Sequence, residues 1–112
     1  MIDFEMTYPC YSPIQPTGLP FTFAAGADQA IAVCTDKFIL DRFFETMLPH
    51  APKGSIGIKD GEWLGIWLRS IWRKPIAKGK PVTHVVFDPT FNAPKIRTYS
   101  IEEFIDHLEK AA

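Results

Sequence analysis

The chain is short of cysteine, of net charge and of long apolar runs, and each shortage removes a class of protein. Two cysteines in 112 residues make neither a disulfide framework nor a four-ligand zinc site. No apolar run approaches the roughly 18 residues of a membrane span, so no membrane partner is expected. A formal charge of −1 takes away whole-chain polycation behaviour as a reason to expect nucleic acid. Asp3 and Glu5 stand where a signal peptide needs basic residues, so export is not expected and a cytoplasmic location is. No internal repeat or low-complexity tract is visible.

What is present is a well-supplied core: 46% of residues are hydrophobic and 13% aromatic, enough for one packed domain of this length. Charge is unevenly spread. Residues 1–62 carry eight acids and four bases, residues 63–99 seven bases against Asp88 alone, and residues 100–112 four acids against Lys110. A basic middle between acidic ends reads either as an anion-binding surface or as faces that neutralise one another in the fold.

Residues 1–20 stand apart, because Pro9, Pro13, Pro16 and Pro20 fall within twelve positions. Proline neither donates to a sheet ladder nor sits inside a helix. The reading is a short edge strand at residues 1–4 and an extended arm over 8–20, laid across the domain and anchored by Tyr8 and Tyr11. The Pro13-Ile14-Gln15-Pro16 spacing also suits a polyproline-recognising groove. The remaining residues, 21–112, form the single domain.

There the pattern becomes regular. Phe21-Thr22-Phe23 alternates, Gly26 and Asp28 mark a turn, and residues 31–34 are a second strand. Thr35 or Asp36 caps a helix that gathers Ile39, Leu40, Phe43, Phe44, Met47 and Leu48 on one face, with Phe38 on the polar side. Residues 55–59 are a short strand. Asp60 caps a second helix over 62–74, burying Trp63, Leu64, Trp67, Leu68 and Ile71. Residues 82–88 are the most strand-like run, 89–94 a loop, and 95–99 a final strand paired with the one before. Ser100-Ile101-Glu102-Glu103 is a capping box for the last helix, with Tyr99 and Phe104 at the staple positions. The expected fold is α+β: a mixed sheet of four to five strands with three helices, mainly on one face.

Candidate chemistry is sparse. Cys34 stands at a strand end before a helix, where backbone amides lower a thiol pKa, but Asp36 beside it acts the other way and the glycines of a nucleophile elbow are missing. His84 and Asp88 share a strand face about 13 Å apart, too far to bond. An enzyme built on Cys34, His84 and Asp88 therefore needs distant side chains to converge. His50 and His107 fall on other elements, so no local metal-ligand set forms. The glycines at 54, 57 and 79 lack the spacing of a phosphate loop, and no cofactor is expected. Arg69, Arg73, Lys74, Lys78 and Lys80, with Trp72 among them, are the candidate anion-binding residues. Against them, cations at a helix C-terminus ordinarily answer its dipole. Phe38, Tyr8, Tyr11 and Trp72 are left over from the buried stripes and are the candidate interface. A protein partner or a second copy of the chain, as a homodimer, is the expected cover; nucleic acid is disfavoured, and catalysis is the weaker alternative to binding.

Two stretches resemble a family. Residues 34–44, Cys34-Thr35-Asp36-Lys37-Phe38-Ile39-Leu40-Asp41-Arg42-Phe43-Phe44, are similar to the strand-to-helix segment of the SseB-like N-terminal domain. Val85-Val86-Phe87-Asp88-Pro89 and Tyr99-Ser100-Ile101-Glu102-Glu103-Phe104 resemble its later strand and final capped helix. The likeness spans about residues 30–108 and does not include the Trp-rich helix or the Pro-rich arm. It implies a small bacterial α/β domain without established catalytic residues, in secretion-associated or accessory roles, and it carries over no site residue.

Overall fold

The computed structural model describes residues 6–77, 79–89 and 97–111; the strand expected at residues 1–4, Lys78, all but Pro89 of the loop expected at 89–94 and the first two residues of the strand expected at 95–99 lie outside them. The order is β1 (Cys10–Ile14), β2 (Thr22–Ala25), β3 (Asp28–Val33), α1 (Lys37–Met47), β4 (Gly54–Ile58), α2 (Gly61–Ile71), β5 (Pro75–Ala77), β6 (Lys80–Phe87), β7 (Arg97–Ser100) and α3 (Ile101–Ala111). Five strands form a mixed sheet in the order β2-β3-β6-β5, with β7 also on β6, and β1 pairs with β4 in a separate two-stranded ribbon. The fold is α+β.

The centre is β3, antiparallel to β2 and parallel to β6. Its side chains divide by the two-residue period of a strand. Ile31 and Val33 join Val85 and Phe87 in a core closed by Leu64, Leu68 and Ile71 of α2 and Ile101 and Phe104 of α3. Ala32 and Cys34 join a second core under Leu40, Phe43 and Phe44 of α1. A register shift interrupts the pairing: Gln29 faces Val82 but Ala30 faces His84, leaving Thr83 as an extra residue. The bulge resets the phase of β6, so Val82 and Val85, three apart, both enter the first core.

Within the proline-rich stretch, residues 10–14 form a strand that bridges to the main sheet. Tyr11 and Cys34 exchange backbone hydrogen bonds of 2.8 and 2.7 Å, and Ser12 Oγ donates to the Ala32 carbonyl at 2.8 Å. Pro13, half of the PxxP spacing, is buried, so it is not free to enter a partner's groove.

The caps follow the local sequence. Asp36 Oδ1 accepts from the Ile39 amide at 2.8 Å and Asp60 Oδ1 from the Trp63 amide at 2.9 Å. Ser100 Oγ accepts from the Glu103 amide at 3.1 Å, and the Tyr99 and Phe104 rings lie 5.6 Å apart. Thr35 is not the cap of α1. Its amide and hydroxyl donate to the Asp88 carboxylate at 2.8 to 3.1 Å, tying the end of β6 to the end of β3. Asp88 holds a left-handed φ of 52°, which turns it out of the strand and toward Thr35.

Two expectations about the helices change. α2 ends at Ile71, because Arg73 is left-handed (φ 64°) and its amide donates to the Val82 carbonyl at 2.7 Å, starting the turn into β5. Its buried stripe is Leu64, Gly65, Leu68 and Ile71, rotated toward Gly65, so Trp63 is not buried but 49% exposed.

These bonds rank the carboxylates by their effect on stability. Asp88→Ala removes the charged acceptor of both the Thr35 amide and the Thr35 hydroxyl and is expected to cost about 2–3 kcal/mol in urea unfolding. Asp36→Ala removes one cap and is expected to cost about 1 kcal/mol. Equal losses would place the inter-strand tie on a par with an ordinary cap.

Candidate interaction surface

The outer side of α2 is where the helix departs from an ordinary solvated face. Trp63 and Ile66 are 49% and 47% exposed, and Glu62, Arg69 and Ser70 share that side. Lys59 Nζ lies 5.6 Å from the Trp63 ring centroid, a cation–π contact that holds the indole against the end of β4. Arg69 is ion-paired to Glu109 of α3, and its guanidinium lies over Gly65, 3.1 Å from where a Cβ would stand. Trp67 packs partly into the core, and its Nε1 is buried with no hydrogen-bond partner among the described residues. An apolar centre with a charged rim is the composition of a protein-binding surface.

The four aromatics expected to form an interface do not come together as one patch. Phe38 is 71% exposed on α1. Tyr11 is half-buried between β4 and Lys37, whose Nζ lies 5.8 Å from its ring centroid. Tyr8 lies over the start of α2, its Oη 3.3 Å from where a Gly61 Cβ would be, whereas Trp72 caps the other end of that helix. Those two are about 16 Å apart along an 11-residue helix. Trp63 and Ile66 take their place as the exposed apolar pair. The periodicity of Trp63 with Trp67 and Leu68 reads as core, and only the rotation of the helix reveals otherwise.

The basic residues are also dispersed. Arg69 is taken by Glu109, and Arg73 stacks 4.6 Å over the Trp72 ring, covering the indole face that a base would need. Lys74, just before β5, and Lys80, the first residue of β6, are exposed.

The residues of the enzyme reading occupy separate bonding arrangements. The Asp88 carboxylate is engaged by Thr35. His84 Nδ1 is 2.8 Å from Thr83 Oγ1, which donates to Asp28 Oδ2 at 3.0 Å, so the bulge gives His84 a partner that a regular strand would not. Cys34 and Cys10 are fully buried. Burial first, and then the Asp88 charge, pushes both thiols up to about 12, the opposite of an activated nucleophile. Burial likewise raises the Tyr8 phenol to about 12. No group of three or more His, Cys, Asp or Glu side chains among the described residues is placed to hold a metal ion. No described helix is long and apolar enough to cross a membrane. Neither the family models nor the curated proteins compared with the chain give a match.

The thiols set a pH dependence. They ionise near pH 8.5 in the unfolded chain and near 12 in the folded one, so above about pH 8.5 the unfolded state loses protons first. Stability is expected to be flat from pH 7 to 8, then to fall by up to about 1.4 kcal/mol per pH unit for each ionising thiol. Urea titrations at pH 7, 9 and 10 check it, and the Cys10→Ala/Cys34→Ala protein is expected to show a shallower fall. A thiol reagent is expected to label neither cysteine before unfolding.

Proposed function

We propose that this domain is a non-catalytic protein-binding module and that it engages its partner through the outer face of α2. The observation that carries the reading is the half-exposed pair Trp63 and Ile66 inside a rim of Lys59, Glu62, Arg69 and Ser70. Tryptophan in such a setting is the residue type most enriched among binding hot spots. The inaccessible thiols and the carboxylate already consumed by Thr35 support binding over catalysis. The SseB-like resemblance of residues 34–44, 85–89 and 99–104 supports an accessory role in a bacterial cytoplasm. Phe38, at 71% exposed, favours self-association as a second reading, tested by light scattering of the Phe38→Ser protein.

A photo-reactive phenylalanine at position 66 tests the leading reading in a lysate of the source cells. A discrete protein adduct is expected there, and none from the same group at Glu45, which is exposed on α1. Ile66→Asp is expected to remove the partner from a pull-down while changing stability by less than about 0.5 kcal/mol, as for an exposed site. Identical captures by the two baits would sink the proposal.

A further inference from the structure

Among the described residues the ribbon of β1 and β4 has one open side, and backbone geometry says which atoms face it. Tyr11 spends its amide and carbonyl on Cys34 of the main sheet. Strand groups alternate in direction, so Cys10, Ser12 and Ile14 are the residues of β1 that point toward β4, where they face Ile58, Ile56 and Gly54. The intervening Ser55 and Gly57 therefore turn their amides and carbonyls away from β1. Both are exposed, and β4 pairs with β1 alone among the described residues. Natural edges are usually guarded by proline, an inward charge or a bulge. The five residues of β4 carry no proline and no charge, and their register with β1 is unbroken.

The charges around this edge choose its occupant. Lys53 and Lys59 stand just beyond its two ends, both exposed, and residues 46–59 contain no acid. Lys37, over the Tyr11 ring that lies 3.9 Å from the Cβ position of Gly57, adds a third cation on the same ribbon. Lys59 also leans on Trp63, which makes the edge continuous with the outer face of α2. A second copy of β4 is disfavoured in the register that overlaps Ser55 and Gly57 of both strands. Antiparallel self-pairing of Ser55 with Gly57 sets Lys53 directly opposite Lys59 at both ends, and like charges opposite one another destabilise a strand pair.

We infer that the edge of β4 docks an extended segment of the partner protein, uncharged in its middle and acidic at both ends, which adds as a third strand beside Ser55 and Gly57. The inference deepens the proposed protein-binding function and rests on it. Main-chain hydrogen bonds at Ser55 and Gly57 would hold the segment, and the two lysines, about 20 Å apart along the strand, would select its ends.

Two synthetic peptides of seven residues, the span from Lys53 to Lys59, test it. Both alternate threonine and valine between blocked termini, one with glutamate and the other with lysine at each end. In amide NMR of the full chain, the glutamate-ended peptide is expected to shift the Ser55 and Gly57 resonances and slow their hydrogen exchange. At low salt it is expected to bind about tenfold more tightly than the lysine-ended peptide. Lys53→Glu/Lys59→Glu, two surface changes that leave the core alone, is expected to reverse that preference. Gly57→Pro is expected to abolish binding with an unchanged circular dichroism spectrum, because β1 does not use the Gly57 amide. Unperturbed Ser55 and Gly57 amides at millimolar peptide, or equal affinity for both peptides, would overturn the inference. So would concentration-dependent dimerisation that protects those amides without peptide, because the edge would then belong to a second copy. If the peptides fail while the adduct at position 66 persists, the edge assignment alone falls; if both fail, the protein-binding reading falls with it.

Discussion

The parallel pairing of β3 with β6, closed at one end by Asp88 and Thr35, is the constraint on which the other contacts depend. A parallel pair needs a long connection, and here that connection carries α1, β4, α2 and β5. It supplies cover for both faces of β3: α1 over Ala32 and Cys34, α2 over Ile31 and Val33. Strands covered on both sides read as near-continuous apolar runs, and residues 30–34 do. The tie at Asp88 brings the two strand ends together just where the chain leaves for α1, so the cap of that helix and the end of the sheet are one structure. It also explains why an acid stands so close to two buried thiols, since its partner is the Thr35 backbone and hydroxyl.

The bulge at Thr83 is the second device that shapes the molecule. Without it, β6 would present Val82 and Val85 to opposite faces. One extra residue puts both in the main core and leaves Thr83 and His84 side by side, with Thr83 bonded both to His84 and to Asp28. The same economy appears at the end of α2, where the left-handed Arg73 stops the helix, stacks on Trp72 and passes the chain to β5 through a bond to Val82. Two residues that look like part of a basic ligand site in one dimension, Arg69 and Arg73, are in three engaged with the chain itself.

Surface composition follows from these packing decisions. α2 is more apolar than its contact with the sheet and α3 requires, and the rotation of its buried stripe toward Gly65 leaves Trp63 and Ile66 outside. At Gly65, a position without a side chain leaves room for the Arg69 guanidinium, which pairs with Glu109. An indole and a branched aliphatic side chain in water are then adjacent to a strand edge that no other described strand pairs. The two features meet at Lys59, which is why both are read as parts of one binding surface.

Local grammar was legible in the sequence wherever a short-range rule governed the outcome. Asp36, Asp60 and Ser100 cap the three helices because a side-chain oxygen three residues before a free amide needs no tertiary help. The alternating runs became strands, the Ser100 cap came with its staple of Tyr99 and Phe104, and the α+β class follows from the order of those elements. The proline-rich stretch was legible as extended but not as a ribbon strand, because its partner at Gly54–Ile58 lies some forty residues away. Register was out of reach for the same reason: the bulge at Thr83 is a relation between β3 and β6, not a property of either run. So were the exposure of Trp63 and the edge at Ser55 and Gly57. Which face of a helix is buried, and which side of a strand is left unpaired, is decided by neighbours distant in the chain, and only the assembled tertiary structure supplies those neighbours.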